Sequence, residues 1–284
     1  MSSSRWLRAS GQSAKIMGVL NCTPDSFSDG GRFVGATVDV QAAVRHAAAM
    51  HDQGGAIIDV GGESTRPGAK PVPLEDELAR VIPVIEALSS LGIHSSIDTN
   101  KAEVMRRAIA AGAGMVNDVT ALTGDDDSLA VVAESGVDIC LMHMQGMPET
   151  MQQNPGYNHT LREVGDYLER RVEACLKAGV ADSSILIDPG IGFGKRLEDN
   201  LDLIAGIGQL KERMGLPLLM GVSRKSFLGA ITGADVEARE METAAAVSIS
   251  VYAGADVLRV HDVAAQGRVV EVASRLRDAA LRLS

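Results

Sequence analysis

Eight short apolar runs, most of them followed by a helix-length stretch rich in Ala, Leu, Glu and Arg, predict an α/β chain folded as a single-domain TIM (β/α)8 barrel. Two further observations support this. The runs are continuously apolar, as parallel strands covered on both faces require. And no linker, composition break or low-complexity segment divides the 284 residues, a length one barrel can fill. Counting strands does not reveal closure, so a doubly wound open sheet stays open as the alternative.

The elements follow in order. Residues 1–14 are of mixed polarity and are expected to form a flexible N-terminal segment, with the barrel domain over 15–284. KIMGVL (15–20) is the first strand. The polar loop after it, beginning NCTPDSF at 21, is about twice as long as the two to five residues a turn needs. VDVQAAVRHAAAMHDQG (38–54) reads as a helix that stops at Gly. AIIDV (56–60) is the second strand, and GGESTRPGAKPVP (61–73) is a second long loop. HSSID (94–98), MVNDV (115–119) and DICLMH (138–143) follow, with Asp125 to Asp127 as a solvated loop or helix start. LREVGDYLERRVEACLKAG (161–179) again ends in Gly, before SILIDPG (184–190), LPLLMGVS (216–223) and ADVLRV (255–260).

Bulk properties exclude several functions. A net charge of −10 argues against nucleic acid as a partner and leaves any anionic substrate to be held by local cations. Cys22, Cys140 and Cys175 share no metal-type spacing and leave one unpaired, which points to a reducing, cytoplasmic setting. MSSSRWLRASGQ lacks the apolar centre of a signal peptide, and no run approaches the ~18 apolar residues of a membrane span. Neither membrane nor nucleic acid is expected as a partner.

The chemistry should lie where the runs end, because the C-terminal strand ends of such a barrel converge on one mouth. Those ends carry Asn21, Gly61 and Gly62, Asp98, Asn117, His143, Asp188, Ser223, Arg259 and His261. Asp98, Asn117 and Asp188 offer acceptors and an amide to a neutral heterocycle bearing N–H donors; any one alone would read as a helix cap. In GVSRKSFLG, Ser223 and Lys225 alternate and would share a face in extended chain, with Ser226 opening a helix. Arg259 and His261 do the same in RVHD, and this region is where such barrels hold phosphate. Arg66 is a third candidate anion ligand, against the plainer reading of a surface loop. DPGIGFGKR is not a P-loop, since Pro189 stands where Gly is needed and Arg196 replaces Ser or Thr. Cys22 has no marked catalytic partner and is expected to pack.

MGVLNCTPDSFSDGG (17–31) and IIDVGGESTRPGA (57–69) together resemble the bacterial-type dihydropteroate synthase family of folate biosynthesis. SIDT (96–99), VND (116–118), LMHMQG (141–146), DPGIGFGK (188–195), GVSRKS (221–226) and RVHDV (259–263) extend the likeness over essentially everything after residue 14. Cys22 and Asn100 depart from the usual Val and Ser or Met. The resemblance implies a transferase that condenses 6-hydroxymethyl-7,8-dihydropterin diphosphate with p-aminobenzoate in an SN1-like step. It implies that Asp98, Asn117, Asp188 and Lys225 hold the pterin, with Met142 and Phe193 against its ring. It gives Asn21, Arg259 and His261 to the diphosphate, Asn21 also reaching a substrate-borne Mg2+. Phe27, Thr65, Arg66, Pro67 and Ser223 would shape the p-aminobenzoate site, and Asp25 would face the cation, with Arg259, His261 and Lys225 as its catalytic company. The loops at Thr23 to Asp29 and at Thr65–Arg66 would close over the bound pterin. A homodimer, with 241–255 as a candidate face, and sulfonamide sensitivity are also implied. A pterin-dependent methyltransferase and a catalytically silent pterin-binding paralogue are the alternatives; SRKS and RVH speak against the first.

Overall fold

β1 (Lys15–Asn21) lies between β2 (Ile57–Gly61) and β8 (Val257–Val260), parallel to both, in a computed structural model that describes residues 4–23 and 38–283. From β2 the parallel ladder continues through β3 (Ser95–Asp98), β4 (Met115–Asp118) and β5 (Asp138–Met142) to β6 (Ile185–Asp188). From β8 it continues to β7 (Leu219–Met220). A parallel bridge between Ile187 and Leu218 brings the two ends together, with the Ile187 N–H donating to the Pro217 carbonyl at 3.0 Å. The eight strands thus form the expected single-domain TIM barrel.

The helices alternate with the strands. α1 (Val40–Asp52), α2 (Leu74–Ser90), α3 (Ala102–Ala110), α4 (Ser128–Ser135) and α5 (Thr160–Lys177) each follow one of the first five strands. α6 (Leu197–Ala205) and α7 (Ile207–Met214) follow β6, α8 (Ser226–Thr232) and α9 (Glu240–Ala253) follow β7, and α10 (Val263–Leu283) follows β8. α1 shows the local logic. Asp39 accepts the Ala42 N–H at 2.9 Å and caps its start, while Ala43, Ala47 and Met50 recur at helical spacing and are buried against the sheet.

Apolar side chains pack on both faces of the sheet. Leu20, Ile58, Val60, Ile97, Val116 and Ile187 join the helices in the larger core. Met17, Ile57, Met115, Cys140, Leu186, Leu219 and Val257 fill the barrel interior with Trp6.

Two expectations need correction. Residues 4–14, expected as a flexible segment, are anchored on the barrel by Trp6, Arg5 and Arg8. Trp6 is 2 % exposed and its indole N–H donates to Asp138 at 2.7 Å, Arg5 donates to the same carboxylate, and Arg8 pairs with Asp278 at 2.7 Å. Asp138 is the first residue of β5, so this segment closes the end of the barrel opposite the mouth. The run predicted over 216–223 also supplies only two ladder residues. Pro217 has no N–H to donate, and Arg224 turns the chain with φ 57, so extended alternation does not explain how Ser223 and Lys225 are placed.

Candidate active site

A step of two residues along a strand keeps a side chain on the same face. From the inner apolar layer that step leads from Ile57 to Asp59, Met115 to Asn117, Cys140 to Met142, Leu186 to Asp188 and Val257 to Arg259. Asp98 stands in register beside Asn117. The barrel interior therefore changes from apolar to polar one layer below its mouth. There a cavity is lined by Thr65, Asp98, Asn117, Met142, Asp188, Phe193, Lys225 and Arg259, together with Val119, Ile191 and Gly221. Eight of the expected site residues are thus brought together.

Asp59, which sequence reasoning passed over, organises this layer. It is fully buried and accepts from Arg259 Nε at 2.6 Å, Asn117 Nδ2 at 2.9 Å and Ser96 Oγ at 2.5 Å. Engaging the Asn117 nitrogen leaves its carbonyl oxygen as the group that can accept from a ligand. Arg259 also donates Nη2 to Asp98 at 2.8 Å. Burial works against the Arg259 charge, but the two carboxylates outweigh it and hold the guanidinium above its ordinary pKa. Burial pushes the Asp98 carboxyl up, with Arg259 opposing. The one available signal for Asp59 was an acid in the middle of the apolar run AIIDV.

On the other side of the cavity, Asp188 accepts the Gly190 N–H at 2.7 Å, and burial raises its carboxyl pKa. Lys225 Nζ lies 4.1 Å from the centroid of the Phe193 ring, a cation–π contact. Burial, then repulsion from Arg259, pulls Lys225 down to about 8. The turn that delivers it is fixed twice at Arg224, whose guanidinium pairs with Glu240 at 2.8 Å and whose N–H donates to Thr243 at 3.1 Å.

Ser223 and His261 stand together at the mouth, outside the cavity lining. The His261 backbone N–H donates to Ser223 Oγ at 3.3 Å, and that hydroxyl lies 3.0 Å from His261 Nδ1. Were the hydroxyl to donate its proton to Nδ1, the ring proton would stand on Nε2. Burial, with Arg259 adding repulsion, takes His261 down to about 3, so the ring is a neutral donor near pH 7. Asn21 ends β1 half-buried, while Arg66 and Pro67 are exposed. Asp25 and Phe27 lie outside the described residues. Cys22 is buried, its thiol pushed up to about 12 by desolvation, and packs as expected.

The loop after β2 is tied at its neck by Lys101, another residue the sequence did not mark. Lys101 Nζ donates to Glu63 at 2.7 Å and to the Val72 carbonyl at 2.9 Å, and pairs with buried Glu77. Glu63 in turn accepts the Val72 N–H at 2.6 Å. Both ends of the segment carrying Thr65, Arg66 and Pro67 are therefore held by one ammonium.

Among the described residues no three His, Cys, Asp or Glu side chains cluster as a metal site. Mg2+ keeps several waters and binds through substrate phosphates, and Asn21 supplies one hard oxygen donor of the kind it takes. That donor set fits an ion arriving with a phosphorylated substrate.

A family model described as pterin binding enzyme matches residues 17–261. The dihydropteroate synthase of Escherichia coli is 45% identical over 249 residues, 87% of this chain and 86% of that protein. The Xanthomonas albilineans dihydropteroate synthase solved with 4-aminobenzoic acid superposes with a TM-score of 0.86 at 44% identity, covering 94% of each chain. The same organism's enzyme in complex with 7,8-dihydropteroate gives a TM-score of 0.82 at 41% identity, again over 94% of each. The chain belongs to the pterin binding enzyme family, and within it to the dihydropteroate synthases.

Proposed function

We propose that this transferase joins 6-hydroxymethyl-7,8-dihydropterin diphosphate to p-aminobenzoate, forming 7,8-dihydropteroate and releasing diphosphate. The observation that carries the reading is the single cavity in which Asp98, Asn117 and Asp188 face Lys225 and Arg259. A pterin presents ring N–H donors, which the Asp188 carboxylate and the Asn117 carbonyl oxygen accept. Lys225 donates to ring acceptors, and Met142 and Phe193 cover the ring faces.

The SN1-like course follows from what these residues can do. Arg259 uses Nε and Nη2 on Asp59 and Asp98, so its Nη1 donors turn to the leaving diphosphate. His261 Nε2–H and Asn21 share that charge, and Mg2+ bound with the substrate supplies further electrostatic stabilisation of the leaving group. No side chain here needs to act as a nucleophile, because the pterin itself stabilises the cation that the arylamine attacks. Thr65 and Ser223 border the p-aminobenzoate side. Asp25, facing the cation, and Phe27, Arg66 and Pro67, shaping that side, complete the reading on the resemblance alone.

Two further parts are proposed. Met241, Ala245, Ile249 and Tyr252 form an exposed stripe at helical spacing on α9, beside exposed Val272 and Leu276 on α10, and this face suits a homodimer. No helix among the described residues is long and apolar enough to cross a membrane, and the three unpaired cysteines fit the cytoplasm. The test is diphosphate release by purified protein given the dihydropterin diphosphate and Mg2+, with and without p-aminobenzoate. Release that depends on p-aminobenzoate and yields dihydropteroate supports the synthase; pterin binding without turnover identifies a silent paralogue.

A further inference from the structure

Lys195 is a buried cation whose hydrogen-bond partners include no carboxylate. It is 3 % exposed. Its Nζ lies 2.9 Å from His143 Nδ1 and donates to the His143 carbonyl at 3.3 Å and to the Phe193 carbonyl at 3.1 Å. Three acceptors meet the three donors of an ammonium. Burial and repulsion from Lys195 take the His143 ring down to about 3, so it is neutral and free to accept through Nδ1. Burial, only partly offset by the Asp188 carboxylate, pulls Lys195 down to about 7. An amine buried this way without a hydrogen-bonded carboxylate is costly, and a Met at this position would fill the same space without that cost. The three bonds therefore call for a role beyond packing.

Their placement suggests which. Met142, directly before His143, and Phe193 are both walls of the pterin cavity, and Lys195 stands behind them. The loop after β6 interlocks with the loop after β5 through glycines at positive φ. A Cβ on Gly190 (φ 71) would fall 1.9 Å from the His143 carbonyl oxygen, and one on Gly194 (φ 62) would fall 2.1 Å from that of Gln145. Gly backbone is flexible, and its approach alone does not fix the Phe193 peptide. The Phe193 N–H donates to the Gly190 carbonyl at 3.1 Å, and Asn200 and Gln152 hold Gly192. Lys195 is the side chain that holds the Phe193 carbonyl, and Phe193 is the residue whose ring sits over the Lys225 ammonium.

We propose that Lys195 is a positioning residue for the pterin substrate: by clamping the Phe193 carbonyl to His143, it holds the Phe193 ring over Lys225 and sets the gap between the two cavity walls. This rests on the synthase reading above. Lys195 acts through Phe193, so its effect belongs to pterin binding rather than to p-aminobenzoate.

The test is a double-mutant cycle of K195M, F193A and the double variant in the full chain. It reads 6-hydroxymethylpterin affinity by titration calorimetry and both substrates' KM in turnover. K195M is expected to weaken pterin binding about tenfold, the scale of one lost charge-assisted hydrogen bond, with p-aminobenzoate KM unchanged. The double variant should bind as weakly as F193A alone, since the clamp has nothing left to hold. If K195M does not fold, K195L, which also removes the Nζ donor, enters the same cycle with the same expectations. A wild-type chain that binds no pterin overturns the synthase reading and this one together. Pterin binding equal to wild type in K195M, or losses that multiply in the double variant, overturns this inference alone.

Discussion

Arg259 and Asp59 meet across the barrel interior, the guanidinium Nε donating to a fully buried carboxylate at 2.6 Å, and the same oxygen accepts from Asn117 at 2.9 Å. One acid thus orients a residue read as a diphosphate ligand and a residue read as a pterin ligand. Removing it leaves a largely buried cation with Asp98 as its one carboxylate partner. D59A is expected to cost about 3–5 kcal/mol of stability, the range for breaking a buried pair. It should also lower kcat/KM for both substrates. Urea denaturation followed by circular dichroism measures the first effect, and an unchanged midpoint would show that Asp59 is dispensable to the layer it joins.

Asp188 and Arg259 should separate in steady-state kinetics. Asp188 meets the pterin ground state, so D188A should raise the dihydropterin diphosphate KM by roughly 10–100-fold, the equivalent of one charge-assisted hydrogen bond of about 1.5–3 kcal/mol. Arg259 meets charge that develops as the C–O bond breaks, so R259A should mainly lower kcat. Because R259A also strips Asp59 and Asp98 of their partner, R259K, which keeps a cation there, is the control. Unchanged kcat in both Arg259 variants would remove it from the transition state.

Lys225 contributes to the pH dependence of pterin binding, beside Lys195, which burial pulls down to about 7. The Lys225 pKa, pulled down to about 8, means that its ammonium loses its proton as pH rises through that value, and with it the contact over Phe193. The kcat/KM for the pterin substrate should fall on the alkaline side, and K225R, which stays protonated, should move that limb upward while lowering the plateau. Profiles of the two proteins from pH 6 to about 10 decide this. An alkaline limb that stays in place in K225R assigns it to another group.

The neck of the loop after β2 offers a contrast. K101A should release Glu63 and the Val72 carbonyl together and loosen the segment that carries Thr65. The p-aminobenzoate KM should rise severalfold, with the pterin KM changing less. Equal rises in both would mean that the clamp supports the whole mouth.

At the opposite end, Trp6 is structural. W6A should destabilise the chain by about 3–5 kcal/mol through the space it opens. The variant's kcat should match wild type at temperatures where it stays folded, since Trp6 closes the end of the barrel away from the mouth. Loss of turnover with stability intact would tie the two ends together.

What the sequence made legible follows from the range of the interactions involved. The strands were readable because a continuous apolar run is a local signal, and Asp98, Asn117 and Asp188 were readable because each interrupts such a run at its end. β7 was overread: Pro217 and the turn at Arg224 shorten the ladder within an apolar stretch that shows neither effect. Asp59 escaped notice because its partners, Ser96, Asn117 and Arg259, stand on three other strands and only the closed barrel brings them together. Trp6 and Lys101 were missed for the same reason. Their meaning lies in Asp138 and in the paired Glu63 and Glu77, contacts that no periodicity announces.

Trp6 is also the chain's only tryptophan. Its indole is buried at the closed end, stacked beside His94 at 6.0 Å between centroids and bonded to Asp138. Indole fluorescence from this protein is therefore a one-site signal. It reports whether the base of the barrel is intact and does not depend on contact with anything bound at the mouth. A ligand that changes the melting point will shift the temperature at which this emission moves to the red, and one that rearranges only the mouth will leave the emission colour as it was.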